Sequence, residues 1–189
     1  MKVLLTGSNG QLGHALMAQR LRHFDLKNLE LIPLTRKELN LADFNACKDA
    51  VYNYRPDWVV NAAAYTAVDK AEDESILVNA INALAPAAFV EALSELGGRF
   101  LQISTDFVFD GSQSTPYKVD QKLNPLNIYG ASKAAGEEAA LQFAGSCLIR
   151  TSWVYGPVGK NFCMTMLRLH EEKASKREAI NVVADQIGT

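Results

Sequence analysis

Seven residues near the amino terminus, Gly7-Ser8-Asn9-Gly10-Gln11-Leu12-Gly13, constrain this chain more than any others. They follow a short apolar run, Lys2–Thr6, and open a stretch of helical periodicity over residues 11–21. A strand that turns through glycines into a helix brings backbone close to a ligand and packs helix tightly on strand. The helix then offers unpaired N–H groups and a positive dipole end to phosphate. The pattern predicts a dinucleotide-binding turn with Gly7, Asn9, Gly10 and Gly13 against the cofactor.

The rest of the chain continues the alternation. Strands are predicted at residues 29–34, 57–61, 99–104, 146–151 and 179–184, and helices at 43–54, 76–96, 129–144 and 162–173. Pro86 lies inside the second of these helices, so a kink or a break is expected near it. Strands separated by helices imply right-handed crossovers and a parallel sheet. The strands are apolar on both sides, which predicts helices on both faces. The expected fold is therefore α/β, a Rossmann-like doubly wound parallel sheet. Residues 1–160 are read as the dinucleotide-binding domain and 161–189 as the start of a smaller substrate-binding portion.

Composition excludes several alternatives. The chain has 189 residues, 48% hydrophobic and 21% charged, with a net charge of −2 and no basic stripe, so no nucleic-acid partner is expected. No apolar run suits a signal peptide or a membrane span, and a cytoplasmic protein is expected. Cys47, Cys147 and Cys163 are odd in number and widely spaced, which predicts reduced, mostly buried thiols and no metal site. No exposed apolar stripe stands apart from the buried strands, so a homodimer is allowed and not required.

At the end of the second strand many NAD-selective folds place a carboxylate for the ribose 2′-hydroxyl. Here the residues are Leu34-Thr35-Arg36-Lys37, with no acid before Glu38. Arg36 suits a 2′-phosphate through its planar guanidinium, and Lys37 adds charge. NADP(H) is the preferred cofactor, with NAD(H) the alternative.

Tyr129-Gly130-Ala131-Ser132-Lys133 puts a phenol and an ammonium on one helix face, one turn apart. A free tyrosine has a pKa of about 10, and a neighbouring cation lowers it toward useful acid–base chemistry. Upstream, Ser104-Thr105-Asp106 falls where a strand ends, the edge at which open α/β sheets bind ligands. A hydroxyl there can polarise a substrate carbonyl. Thr105 is the first choice and Ser104 the second.

These segments occur in order with Asn61-Ala62-Ala63-Ala64-Tyr65-Thr66-Ala67-Val68-Asp69-Lys70-Ala71-Glu72, Thr105-Asp106-Phe107-Val108-Phe109-Asp110-Gly111 and Arg150-Thr151-Ser152-Trp153-Val154-Tyr155-Gly156. Together they resemble the dTDP-4-dehydrorhamnose reductases, extended short-chain dehydrogenase/reductases whose glycine spacing is likewise G-x-x-G-x-x-G. The resemblance implies reduction of the C4 ketone of dTDP-4-dehydro-L-rhamnose to dTDP-L-rhamnose. It implies Tyr129 as proton donor beside the cofactor, Lys133 as its modulator and ribose ligand, and Thr105 as the group polarising the ketone. It also places Gly10, Gln11, Leu12, Ala62, Ala63, Ala64 and Thr66 along the cofactor, and Val68, Asp106 and Trp153 against the sugar. The family commonly has an Asp before an apolar residue near the adenine. This chain has Asn40-Leu41 there, which are assigned to the cofactor with that departure noted. Asn82 matches a family asparagine that supports the site.

Related sugar-nucleotide dehydratases resemble Thr-Asp-Glu after the same strand. Phe107 stands here in place of the acid, which favours simple ketone reduction. Epimerases, and a non-catalytic dinucleotide-binding subunit similar to the regulatory β-subunit of methionine adenosyltransferase, are the alternatives. The chain stops within the family's Asp185-Gln186-Ile187-Gly188 motif. A truncated reductase, competent in outline to hold the dinucleotide and poorly equipped to hold the sugar, is the expectation.

Overall fold

The computed structural model describes residues 1–22 and 28–183. Five parallel strands form one sheet in the order β2-β1-β3-β4-β5: β1 (Lys2–Thr6), β2 (Glu30–Leu34), β3 (Trp58–Asn61), β4 (Arg99–Thr105) and β5 (Ser146–Thr151). The chain goes outward from β1 to β2, then crosses back to β3 on the other side of β1. The direction of winding therefore reverses between β1 and β3, and a crevice opens at their carboxyl ends. Pro33 sits in β2, an edge strand, where its missing N–H costs the sheet least. Thr6 pairs with Asn61 and Asn61 with Gln102, so the ends of β1 and β3 are in register and β4 runs on past them to Thr105.

Helices α1 (Gln11–Arg22), α2 (Phe44–Tyr54), α3 (Val68–Ala71), α4 (Ser75–Asn79), α5 (Ala85–Leu96), α6 (Ile128–Leu141) and α7 (Phe162–Ala174) complete the described residues. Asp43 is the N-cap of α2, its carboxylate accepting the Ala46 N–H at 3.0 Å. Right-handed crossovers put α2, α5 and α6 side by side on one face and α1 on the other. The core lies under the three-helix face, where Leu4, Val51, Val59, Phe89, Leu93 and Phe100 are fully or almost fully buried. Burying each of these side chains is worth about 2 kcal/mol.

The parallel sheet carries helices on both faces, as expected, and three details differ. The strands are not covered on both faces throughout, because Cys147 and Ile149 of β5 are exposed. α7 buries none of its residues, so it does not close that face. Cys163 is also exposed, and only Cys47 fits the expectation of buried thiols; its burial raises the thiol to about 12. Residues 179–183 form no strand, and Ala184 of that predicted strand, like the motif at 185–188, lies outside the described residues.

The helix expected over 76–96 bends before its proline. Residues Ala80–Leu84 form one wide π turn, in which the Ala85 N–H reaches the Ala80 carbonyl. Pro86 has no N–H for the carbonyl of Asn82, four residues earlier, so the ladder is interrupted upstream of the ring. The whole stretch Ser75–Leu96 is long and apolar enough to cross a membrane, with a mean hydropathy of 1.7. Its buried residues, Phe89 and Leu93 among them, instead form the centre of the packed core. Among the described residues no group of three or more His, Cys, Asp or Glu side chains could hold a metal ion.

Candidate active site at the carboxyl edge of the sheet

One cleft of about 680 Å³ opens over the carboxyl ends of the strands. Gly7, Asn9, Gly10, Gln11 and Leu12 line one end, with Arg36, Asn40 and Leu41 beside them. Ala62, Ala63, Ala64, Thr66 and Val68 line the middle, and Thr105, Asp106, Tyr129, Lys133 and Trp153 the other end. Gly13 is the exception among the residues singled out from the sequence. It does not line the cleft, because it packs α1 against the turn: a methyl added there would stand 2.2 Å from the Gly7 carbonyl oxygen.

The turn itself fits a pyrophosphate. Gly7 has φ +66°, and a methyl on it would meet the Ala63 backbone at 2.8 Å. The Gly10 N–H closes the turn onto the Gly7 carbonyl at 2.9 Å, at the start of α1. At the end of β2, Glu38 folds back onto Thr35, accepting its N–H at 2.8 Å and its hydroxyl. This capping arrangement holds the Glu38 carboxyl below its ordinary range. Arg36 faces the cleft, whereas Lys37 does not line it.

At the opposite end the start of α6 is fixed from several sides. Asn127 caps the helix by accepting the Gly130 N–H at 2.7 Å, and Glu72 accepts the Ile128 N–H at 2.9 Å. Gly130 lies against the Phe107 carbonyl, where a methyl would come within 2.3 Å. Tyr129 is therefore held in place, 8% exposed, with the Phe107 ring edge-on at 5.5 Å. Burial raises its phenol above the ordinary range, a Thr105 hydrogen bond works the other way, and the Asp106 charge adds to the rise. The sequence reading expected Lys133 to lower this pKa. In the structure the Lys133 ammonium instead donates to the Ile103 carbonyl at 2.6 Å. Burial pushes Lys133 down to about 8, with Glu137 opposing the fall.

Thr105 donates its hydroxyl to Asp106 at 2.9 Å and accepts the Phe107 N–H at 3.2 Å. Ser104, the alternative hydroxyl, is 3% exposed, and its oxygen has no hydrogen-bond partner. Trp153 carries a left-handed backbone, φ 50°, and is half exposed against the edge of Phe162. A non-glycine residue in that region is strained, and such strain collects at binding sites.

Asn82 does support the site. It accepts the Tyr65 N–H at 2.9 Å and donates to the Tyr65 carbonyl at 3.1 Å and the Ser132 hydroxyl at 3.0 Å. It thereby ties the π turn to α6, one residue before Lys133. Sequence reasoning missed Ile103, Phe107, Tyr65 and Glu72. Phe107 was weighed only for the acid it is not, and Glu72 acts through a main-chain N–H that no spacing reveals.

The RmlD substrate binding domain family model matches residues 1–189. The Bacillus subtilis spore coat polysaccharide biosynthesis protein SpsK is 44% identical, over 100% of this chain and 64% of its own length. The dTDP-4-dehydrorhamnose reductase of Burkholderia thailandensis is 43% identical over 100% of this chain and 60% of its own. Among solved structures, a Clostridium acetobutylicum dTDP-4-dehydrorhamnose reductase superposes with a TM-score of 0.85 at 37% identity, covering 91% of this chain and 60% of that one. The Bacillus anthracis enzyme, in complex with NADP, gives 0.82 at 37% identity, covering 90% and 60%. The chain thus spans about three-fifths of the length of the relatives it matches. It belongs to the RmlD substrate binding domain family, alongside the dTDP-4-dehydrorhamnose reductases that it resembles.

Proposed function

We propose that this chain carries the dinucleotide site and the catalytic residues of an NADPH-dependent reductase. The reaction is reduction of the C4 ketone of dTDP-4-dehydro-L-rhamnose to dTDP-L-rhamnose. The observation that supports this most is the gathering of Tyr129, Lys133 and Thr105 in the same cleft as the glycine turn. Residues 1–160 are the dinucleotide-binding domain and 161–189 begin the substrate-binding portion. The reading makes the protein a cytoplasmic biosynthetic enzyme whose partner is a small nucleotide sugar, with no nucleic acid or membrane, and it allows a homodimer.

The cleft suits the cofactor. Gly7 and Gly10 shape the turn that would receive the pyrophosphate, and Asn9, Gln11 and Leu12 would line it at the positive end of the α1 dipole. Arg36 takes the 2′-phosphate, which makes NADP(H) the preferred form and NAD(H) the alternative. Asn40 and Leu41 flank the adenine, and Ala62, Ala63, Ala64 and Thr66 let the ligand run close to the sheet. When bound, the dinucleotide supplies the hydride.

The side chains do the rest. Thr105 turns its hydroxyl from Asp106 to the substrate carbonyl oxygen, stabilising the charge that develops there. Tyr129, kept protonated by its burial, gives its proton to that oxygen. Lys133 is largely an ammonium at neutral pH even with its lowered pKa, and it favours the phenolate left behind. Val68, Asp106 and Trp153 face the sugar, and the Phe107 ring excludes water beside Tyr129.

The test is NADPH oxidation by the protein with dTDP-4-dehydro-L-rhamnose, together with the Tyr129→Phe variant and separate titrations of NADPH and dTDP. Substrate-dependent oxidation that is lost in Tyr129→Phe is expected. NADPH binding with no oxidation at any substrate concentration would leave a binding module.

A further inference from the structure

Three buried polar side chains cross the sheet in one row beneath the cleft. Thr6, Asn61 and Gln102 are register partners on β1, β3 and β4, each about 1% exposed. Their hydrogen bonds run in one direction. The Thr6 hydroxyl donates to the Asn61 carbonyl oxygen at 2.6 Å, and the Asn61 amide donates to the Gln102 oxygen at 2.8 Å. The Gln102 amide then donates to the Ile103 carbonyl at 2.8 Å. That is the same carbonyl that takes the Lys133 ammonium, at 2.6 Å.

Polar side chains in a sheet interior are costly unless fully paired, and apolar residues would pack there without that demand. The row is paired, and its sense is fixed at its end: the Ile103 carbonyl can only accept, so Gln102 must turn its NH2 toward it and its oxygen toward Asn61. A carbonyl that already receives one N–H has less negative charge to offer a second donor. We infer that Gln102 is a positioning residue for Lys133: by sharing the Ile103 carbonyl it fixes that acceptor and loosens its grip on the ammonium. The lysine is then held in place, yet free to exchange the carbonyl for a cofactor or substrate oxygen. The inference rests on the role given to Lys133 above. Glu137 is the other group acting on this lysine, one turn along α6 and paired to Arg150 of β5.

The experiment follows the titration of Lys133 itself, so it does not depend on turnover. The protein is labelled with carbon-13 at lysine Cε, and the Lys133 signal is assigned by its loss in Lys133→Arg. Two variants are compared with wild type from neutral to alkaline pH. Gln102→Met keeps the side-chain length and removes both hydrogen bonds; Gln102→Leu removes both with a shorter, branched side chain, and neither adds a charge. With the carbonyl left wholly to the ammonium, the charged form gains, and the Lys133 pKa rises by about one unit in both variants. Should Gln102→Met fail to fold, Gln102→Leu carries the comparison. A folded variant whose Lys133 titrates as in wild type overturns the inference. A protein without reductase activity would leave this titration unchanged, so the two readings fail separately.

Discussion

The α-carbon of Gly136 on α6 rests against the carbonyl of Asn82 in the π turn, so closely that a methyl group would stand 2.1 Å from the oxygen. The carbonyl released by Pro86 thus becomes the seat of the helix that carries Tyr129 and Lys133. Gly136→Ala has no space to relax into, since the obstacle is backbone. It should destabilise the fold by about 3 kcal/mol, read as a shift in the urea midpoint. A midpoint unchanged from wild type would show that α6 can tilt away freely.

Glu137, 1% exposed, is bridged by Arg150 through two hydrogen bonds of 2.6 and 2.9 Å. Arg150 also donates to the Val119 carbonyl at 3.0 Å and stands over the Phe109 ring, so it anchors the loop between Asp106 and Tyr129. Arg150→Met strands a buried carboxylate and should cost about 3–5 kcal/mol. The double variant Glu137→Met/Arg150→Met should recover much of that loss, which a double-mutant cycle in denaturant measures.

Lys133 gives a pH signature with a defined sign. Its folded pKa, about 8, lies below that of the unfolded chain, so the folded state binds fewer protons between the two values. This group therefore lowers stability below about pH 8, and the penalty fades as pH rises toward 10.5. Lys133→Met should be more stable than wild type at neutral pH, and the gap should close through that window. Thermal melts at a series of pH values provide the check, and a gap that widened with pH would reverse the sign.

Removing the Tyr129 hydroxyl should separate binding from chemistry. Tyr129→Phe keeps the ring packed against Phe107 and should retain NADPH affinity within about threefold while ketone reduction falls by about 100-fold or more. The measurement is single-turnover NADPH oxidation beside a binding titration.

Arg36 is the cation facing the cleft at the end of β2. Arg36→Ala should weaken NADPH by about tenfold and leave NADH nearly unchanged, since only the former carries the 2′-phosphate. Equal losses for both cofactors would assign Arg36 to the adenine or to the fold.

Much of the architecture was legible because it depends on local pattern. β1 and β5 begin and end where their apolar runs do, and Asp43, read as the first residue of a helix, is its cap. The three glycines were legible as a group, close packing of helix on strand included, but Gly13 was also set among the cofactor contacts. The packing of α1 onto the Gly7 carbonyl leaves it the packing task alone. The π turn escaped because proline disturbs a carbonyl four residues upstream, so the break is displaced from the residue that causes it. Exposure of Cys147 and Ile149 could not be read either, since an apolar strand looks the same whether or not a helix covers its second face. The Tyr129–Lys133 pair was legible from spacing. Spacing says nothing of which acceptor the ammonium prefers, and that depends on Ile103 and Gln102, thirty residues away in sequence.

Gly7 follows β1 and Ala63 follows β3, yet the Ala63 backbone stands 2.8 Å from where a Gly7 side chain would begin. Neither position can drift alone. A larger residue at 63 displaces the turn, and any residue at 7 displaces the strand end that bears Ala62 and Ala64. Natural variation should therefore be nearly frozen at this pair while the neighbouring Ser8 and Asn9 remain freer. Directed evolution of cofactor preference would accordingly find its accepted changes around Arg36, in the turn after the edge strand, and almost none across the β1–β3 junction.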